Sequence, residues 1–368
     1  MRYQGLLVVS KESWDDTRWA RKQWLPYYLS QLSDFNKVLY LDRHSAWWRG
    51  ESLHTPVNHQ KVEVIQERLI FPFERNQGIR RWNRKRIAKR LVTMLDEQLA
   101  WNTIFYHPFD VAMMETLSQR SKVIFDWTED WAVFHDNAEI PKLQIKSVKE
   151  SDAVITVTHH LYERAVAIRG SSNQVYHIPN ATVFEHSYEM AEEPLEIKSL
   201  EHPRIGFVGH AGPWFDEKLV EEIARKRPEW HWVMVGGYGE SANRQLEGLP
   251  NIHWQGVQAP EKLMSFMQHC DVLVAPYKLG IEGDATKLYD YLVAAKPILS
   301  IPCETAERLQ PWVTVCQNSS DWISALDDLL SEERPVSFTP CPEEVTHSHH
   351  WRARAAKAAA VIEDLYAV

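Results

Sequence analysis

The stretch VLVAPYKLGIEGDATKLYDYLVAAKPILS (272–300) decides the fold. An apolar run ends at Pro276, a glycine-containing loop follows, and a segment with helical periodicity runs from Thr286 to Ala295 into a second apolar run. Strand, loop, helix and strand in this order predict a βαβ unit with parallel strands. Thr286 is expected to help to cap the helix.

The same alternation extends in both directions along the chain. Apolar runs predict strands at 6–10, 37–42, 103–107, 122–127, 153–157, 174–179, 204–209, 230–237, 251–256, 272–276 and 297–301, with helical segments between most of them. Such a pattern predicts an α/β fold with two Rossmann-like domains, whose parallel sheets face a central cleft. A polar, proline-containing connector, AEEPLEIKSLEHP, separates the two series.

We therefore expect four parts of the chain. They are an N-terminal Rossmann-like domain (1–185), a linker (186–203), a C-terminal Rossmann-like domain (204–345) and a closing helix (346–368).

Composition excludes several classes of protein. The 368 residues are 44% hydrophobic and 25% charged, which is typical of globular chains and not of disordered, collagenous or disulfide-scaffold ones. The four cysteines lack CxxC spacing, and no apolar run approaches the roughly 18 residues of a membrane span. We expect a cytoplasmic protein, peripheral on the inner face of the plasma membrane, without a metal or cofactor. The net charge of -9 indicates no nucleic-acid partner.

The loop and helix of the quoted stretch have the residues of a diphosphate site. A helix N-terminus offers unpaired N–H groups, and Lys287 adds a cation beside it. Glu282 in the loop and Asp290 in the helix are carboxylates that can accept hydrogen bonds from sugar hydroxyls. The alternative is that Glu282 is an ordinary surface residue and Asp290 a solvated helix residue.

At these residues the chain resembles the donor domain of GT-B glycosyltransferases, in particular the group with a Glu-x7-Glu motif followed by a Lys-Pro strand start. Asp290 replaces the second glutamate, and Lys296 and Pro297 follow. The resemblance continues through RIGFVGHAGPWFDEKL (204–219) and IPNATVFEHS (178–187), although His210 follows Gly209 where many members have arginine. More closely, the chain resembles bacterial transferases of cell-surface polysaccharide assembly, such as the teichuronic acid transferases.

The resemblance implies a role for each matching residue. Glu282 would contact the donor sugar, Asp290 the ribose, and Lys287 with the backbone of 283–286 the phosphates, with Glu282 and Lys287 counted as catalytic. The full predicted donor-binding set is Gly209, His210, Gly236, Tyr277, Glu282, Gly283, Asp284, Ala285, Thr286, Lys287 and Asp290.

The segment KVIFDWTEDWAVFHD (122–136) predicts an acceptor site. Tryptophan rings stack on sugars, and carboxylates bind hydroxyls or accept a proton, so Asp130 is the predicted general base. The alternative is that the carboxylates cap a helix and the tryptophans are core. The predicted acceptor-binding set is Trp14, His107, Asp126, Trp127, Glu129, Asp130 and Trp131.

A basic segment, residues 79–95, has seven Lys/Arg between Arg80 and Arg90. Ile79, Trp82, Ile87, Leu91 and Met94 lie on one side of the predicted helix, which is the pattern of a helix on an anionic membrane surface. The alternatives are a solvated basic face and a pocket for an acidic glycan.

Together these features predict a glycosyltransferase of cell-surface polysaccharide biosynthesis. It would move a sugar from a nucleoside diphosphate sugar, expected to be a UDP-sugar, to a glycan or a lipid-linked acceptor, without a metal and with retention of configuration. The alternatives are a nucleotide-sugar 2-epimerase of the same fold and a non-catalytic glycan-binding partner.

Overall fold

A computed structural model describes residues 3–14, 19–42, 45–46, 61–71, 73–134, 137–185, 189–280, 283–330 and 339–367. Its strands are β1 (Gln4–Val9), β2 (Phe35–Leu41), β3 (Ser45–Ala46), β4 (Val62–Ile65), β5 (Arg68–Leu69), β6 (Ala100–Phe105), β7 (Ser121–Trp127), β8 (Ala153–Thr156), β9 (Val175–His177), β10 (Arg204–Val208), β11 (His231–Val235), β12 (Ile252–Gly256), β13 (Val272–Ala275), β14 (Ile298–Ser300) and β15 (Val313–Val315).

Its helices are α1 (Arg21–Gln31), α2 (Gln77–Val92), α3 (Val111–Leu117), α4 (Trp131–Phe134), α5 (Ile140–Glu150), α6 (His159–Arg169), α7 (Glu217–Lys226), α8 (Glu240–Leu246), α9 (Pro260–Gln268), α10 (Thr286–Val293), α11 (Glu304–Arg308), α12 (Ser319–Leu330), α13 (Glu343–Ser348) and α14 (Trp351–Asp364). A short 3-10 helix, Pro108–Asp110, precedes α3.

The chain divides into two compact units. Unit 1 contains residues 1–179 and 351–368, and unit 2 contains residues 180–350. The start of the segment expected as the closing helix therefore belongs to unit 2, and only α14 returns to unit 1. The described part of the expected linker packs on unit 2, where Ile197 is fully buried.

Unit 1 is built on a parallel sheet of seven strands in the order β4-β2-β1-β6-β7-β8-β9. Residues 6–9 of β1 are all buried, as expected for a central parallel strand that helices cover on both faces. The register aligns Val9 with Leu41 and Phe105, so three strands end together. Lys11 lies in the loop after β1, and His107 lies in the loop after β6.

Unit 2 has a parallel sheet of six strands in the order β12-β11-β10-β13-β14-β15. Successive residues of β13 enter opposite cores, Val272 and Val274 on one face and Leu273 and Ala275 on the other. Gly206 of β10 lets Cys270 pack closely, because a Cβ there would lie 2.6 Å from the cysteine Sγ.

All eleven strands predicted from sequence are present, and two further strands complete the sheets. These are β4 and β15, which occupy an edge of each sheet. Only three or four residues long, they include a charged or polar residue and lack the long apolar run that marks a central strand.

Candidate functional site

The candidate donor site lies where β10, β11 and β13 of unit 2 end. The buried hydroxyl of Tyr291 accepts a hydrogen bond from the Val208 amide at 2.9 Å and lies 3.3 Å from the Val274 carbonyl. One α10 side chain thus contacts the ends of two strands. This arrangement holds the ends of β10 and β13 against α10.

Two glycines allow the loops after β10 and β11 to approach each other. The Gly209 amide donates to the Val235 carbonyl at 2.8 Å, and Gly209 has φ +148°. At Gly236, where φ is +126°, a Cβ would lie 2.2 Å from the Gly209 carbonyl oxygen. Backbone atoms cannot move aside as a side chain can, so the close approach requires glycine at 236.

Lys287, in the first turn of α10, points its amine at the Gly209 loop. A Cβ on Gly209 would lie 2.7 Å from Lys287 Nζ, and the amine lies 3.9 Å from the Phe207 ring centre and 5.0 Å from that of Tyr277. The Nζ atom is buried without a hydrogen-bond partner. Burial lowers the pKa of Lys287 to about 7, although Asp290 opposes the shift. A nearby anion would satisfy this amine and restore its charge.

Asp290 is anchored within unit 2. Its carboxylate accepts a hydrogen bond from the Thr182 hydroxyl at 2.6 Å. Burial raises the pKa of Asp290 to about 7, against the lowering effects of Thr182 and Lys287. Asp290, the residue predicted to bind the ribose, is therefore already hydrogen-bonded to the first residues of unit 2.

The Asp284 side chain is engaged entirely within the protein. It accepts hydrogen bonds from the Asn180 amide, the Thr305 hydroxyl, the Tyr289 hydroxyl and the Arg308 guanidinium at 2.5, 2.6, 2.8 and 3.1 Å. The side chain is 1% exposed. A donor-binding role for this residue would fall to its backbone.

The remaining predicted donor residues that the structure describes lie around the same loops. Glu282 is outside the described residues, and its neighbour Gly283 is exposed. His210 is exposed and its ring lies edge-on to Trp214. The N-cap residue of α10 is Ala285 and not Thr286, which was predicted to help to cap the helix. The Thr286 hydroxyl donates to the Asp284 carbonyl at 3.4 Å.

In unit 1, much of the predicted acceptor set is buried. Asp126 is fully buried and forms an ion pair with Arg21 Nε at 2.8 Å; burial raises the pKa of Asp126, although Arg21 opposes this. Trp14, Trp127 and Trp131 are 2%, 0% and 8% exposed. The tryptophans of segment 122–136 therefore match the alternative in which they are core residues, whereas Asp126 pairs with Arg21 and does not cap a helix.

Asp130 has partners that weaken it as a base. It pairs with the Arg164 guanidinium and accepts hydrogen bonds from Gln144 Nε2 at 2.9 Å and the Ala132 amide at 3.3 Å. Burial alone would raise the pKa of Asp130, but the hydrogen bonds from Gln144 and Arg164 hold it below its usual value. Its neighbour Glu129 is exposed. A carboxylate held ionised by arginine has a low affinity for a proton.

His107 takes part in a contact that sequence reasoning missed. Its Nδ1 accepts hydrogen bonds from Lys11 Nζ and from the Phe109 amide, both at 3.1 Å. The proton of the neutral ring then lies on Nε2. Burial and Lys11 lower the pKa of His107 to about 3, and burial lowers that of Lys11 to about 8. This Lys11–His107 pair joins the loops that follow β1 and β6.

The basic helix α2 is closely packed on unit 1. Ile87 and Leu91, on its predicted membrane face, are fully buried in the core. Six of its seven cations face carboxylates, in the pairs Arg80–Glu139, Arg81–Glu115, Arg84–Asp110, Lys85–Glu115, Arg86–Glu67 and Arg90–Glu67. Of the predicted apolar side of α2, Ile87 and Leu91 are therefore unavailable to a membrane, Ile79 and Met94 are partly buried, and Trp82 is exposed.

Several site neighbours lay beyond the reach of sequence reasoning. These are Lys11, Arg21, Arg164, Thr182 and Arg308, each of which contacts a predicted site residue from a distant part of the chain. Two of them had a local signal, since Lys11 follows the first strand and Thr182 lies in the stretch 178–187 that carries the resemblance. Across the described part of the chain, no group of three or more His, Cys, Asp or Glu could hold a metal. None of the described helices is both long and apolar enough to span a membrane.

Residues 202–332 match the family described as glycosyl transferases group 1, which confirms the resemblance predicted for this region. The chain is similar to TuaH of Bacillus subtilis (strain 168), assigned to teichuronic acid biosynthesis as a glycosyltransferase, with 21% identity over 94% of each chain.

The fold of this chain is similar to that of solved structures, including two that cover nearly all of it. One is Anabaena Alr3699/HepE in complex with UDP and glucose, with TM-score 0.70, 10% identity, and coverage of 98% of this chain and 100% of that chain. The other is sucrose-phosphate synthase from Thermosynechococcus elongatus, with TM-score 0.70, 14% identity and 99% of each chain covered. They confirm the predicted fold class of two Rossmann-like parallel-sheet domains.

Proposed function

We propose that this chain is a glycosyltransferase that uses a nucleoside diphosphate sugar, a UDP-sugar, to extend a glycan or a lipid-linked acceptor in cell-surface polysaccharide biosynthesis. The group 1 family match over 202–332 supports transferase activity. The name of TuaH supports the polysaccharide context, and the UDP held by Alr3699/HepE supports the choice of nucleotide.

The observation that carries the proposal is the buried amine of Lys287 beside Gly209. A lysine amine that is buried without a hydrogen-bond partner is costly unless an anion completes it. The first turn of α10 adds N–H groups without intrahelical acceptors and the positive end of the helix dipole. A diphosphate has the charge and the acceptor oxygens that this arrangement lacks.

In the proposed reaction the acceptor hydroxyl attacks the anomeric carbon of the donor sugar, and the bond from that carbon to the diphosphate breaks. Lys287 and the N-terminus of α10 stabilise the negative charge that develops on the leaving diphosphate. We propose that these groups act without a metal ion. Glu282 would hold the donor sugar.

Retention of configuration is also part of the proposal. The engagement of Asp130 with Arg164 supports it, because inversion needs a free base on the opposite face of the sugar, and Asp130 was the predicted candidate. In a retaining reaction the leaving diphosphate itself can accept the proton of the acceptor hydroxyl.

The test is binding of UDP, GDP, ADP and TDP and their common sugars, measured by thermal shift and calorimetry. One nucleotide should bind the wild type saturably and bind Lys287→Ala much more weakly. The matched control is Lys262→Ala, which removes an exposed lysine of the same unit. Equal binding by wild type and Lys287→Ala would refute the donor-site assignment.

Activity assays then distinguish sugar transfer from epimerisation, the alternative reaction of the same fold. Glu282→Ala and Lys287→Ala should abolish transfer with little loss of stability. Consumption of the donor sugar in the absence of any acceptor, with conversion to an epimer, would refute transfer in favour of epimerisation.

A further inference from the structure

Unit 1 has a cluster of exposed apolar side chains beside the N-terminus of α2. The cluster, called here the aromatic patch, contains Ile70, Phe71, Phe73 and Trp82. Phe73 is 68% exposed, and the rings of Phe71 and Trp82 lie 5.2 Å apart. A cluster of large apolar side chains in water is unfavourable, and such clusters mark surfaces that bind a partner.

Polar contacts hold the backbone that presents these rings. The Asn83 side-chain amide donates to the Phe71 carbonyl at 2.6 Å and to the Glu74 carboxylate at 2.8 Å. Arg80 donates to the Glu74 carbonyl at 2.9 Å, and Arg84 pairs with the Glu74 carboxylate at 3.1 Å. Three side chains of α2 therefore hold the chain at Phe71 and at Glu74, while the apolar side chains of the aromatic patch are exposed.

The surroundings of the aromatic patch are positively charged. Residues 70–90 contain eight Lys/Arg and a single carboxylate, Glu74, in a chain whose net charge is -9. The carboxylates that pair with α2 from elsewhere leave a surplus of cations. Among the described residues, no carboxylate pairs with Arg75 or Lys89, and both are exposed.

We propose that the aromatic patch docks unit 1 on the surface of an anionic lipid bilayer. Aromatic and aliphatic side chains enter the boundary between headgroups and acyl chains, and the flanking cations meet anionic headgroups. The bilayer fits better than an acidic protein, because the rings protrude from a surface with more cations than carboxylates, and Arg75 and Lys89 have no carboxylate partner among the described residues.

The aromatic patch is joined to the Lys11–His107 pair within unit 1. The Arg80 guanidinium lies 4.1 Å from the centre of the Phe109 ring, and that ring lies 4.9 Å from both the His107 ring and Lys11 Nζ. Resting on the proposed function, docking at the patch would present a lipid-linked acceptor to the Lys11 amine and the neutral His107 ring.

The test is co-sedimentation of the full chain with vesicles of phosphatidylcholine, alone or mixed with phosphatidylglycerol. The wild type should bind the mixed vesicles and bind the neutral vesicles more weakly. Phe71→Ser combined with Phe73→Ser should weaken binding by roughly tenfold or more. The control, Met190→Ser combined with Leu195→Ser, removes two similarly exposed apolar side chains from unit 2 and should bind as the wild type does.

Trp82 gives a second measurement that does not depend on a loss of binding. Brominated phosphatidylcholine in the mixed vesicles should quench wild-type fluorescence more than that of Trp82→Phe, which retains an aromatic ring and should still sediment. Equal quenching of the two proteins would place Trp82 away from the bilayer and overturn the proposal.

Calorimetric binding of UDP separates this proposal from the proposed function. Wild type that binds UDP but neither kind of vesicle overturns docking alone. Self-association that the Phe71 and Phe73 changes abolish, without vesicle binding, would make the patch a contact between copies of the chain and also overturn it. Vesicle binding without binding of any nucleotide would instead refute the donor-site assignment and leave docking standing.

Discussion

The Thr182 hydroxyl donates a hydrogen bond to the Asp290 carboxylate at 2.6 Å, joining the first residues of unit 2 to α10. Asp284 makes the equivalent contact with the Asn180 amide. Two carboxylates from the predicted donor-binding stretch therefore also position the segment 180–182. A change at either carboxylate would disturb both the donor loop and this segment.

Asp290→Asn should change how stability depends on pH. The folded-state pKa of Asp290, about 7, lies above the value of 3.8 for an exposed aspartate. Its contribution to stability is therefore present below about pH 4 and is lost as the pH rises through about 7. The free energy of unfolding, measured with urea, should therefore fall in the wild type relative to Asp290→Asn as the pH rises from about 4 to about 7. A difference that does not vary with pH would show that the Asp290 carboxyl titrates normally.

Lys287 should make nucleotide binding dependent on pH. Its pKa is about 7 in the free protein, and a bound diphosphate would raise it, so binding above pH 7 requires uptake of a proton. Wild-type affinity for UDP should fall as the pH rises from about 7 to about 9. Lys287→Met, which never carries the charge, should bind weakly at every pH in this range.

Calorimetry in two buffers with different ionisation enthalpies measures that proton directly. Wild type should take up a proton on binding UDP at the upper end of the range, and Lys287→Met should take up none. Uptake of equal size in both proteins would assign the proton to another group.

Gly236→Ala should destabilise unit 2 strongly. Its φ of +126° and the Gly209 carbonyl oxygen, 2.2 Å from the added Cβ, predict a loss of about 3 kcal/mol or more in the free energy of unfolding. Gly170→Ala is the matched control, because φ is +71° there but nothing lies within 4 Å, so the loss should be only about 1 kcal/mol. Equal losses in the two variants would mean that the loop after β11 relaxes to admit a side chain.

Asp130→Asn should reduce transfer by less than about tenfold, whereas loss of a general base costs about 10²–10⁴-fold. Asparagine retains an acceptor for Gln144 and loses only the pairing with Arg164, which is partly exposed. Steady-state rates of Asp130→Asn and Arg164→Gln should therefore be similar. A large loss confined to Asp130→Asn would restore Asp130 as the base and favour inversion.

The sequence by itself determined the fold class and the main elements of the donor loop. Runs such as LLVV at 6–9 can bury both faces only in a covered parallel sheet, so all nine central strands were predictable, together with the edge strands β9 and β12. Lys287 and its helix start were predictable for a similar reason, because strand, glycine loop, cation and helix follow one another within a short stretch.

Only the tertiary structure decided which side chains are available for chemistry. Asp126 and Asp130 look alike in the sequence, yet Arg21 and Arg164, distant along the chain, bind them. The same holds for α2, whose apolar side is covered while Trp82 stays exposed. Charge pairing and burial depend on residues that are brought together by folding. The local sequence pattern does not show which distant residues become neighbours.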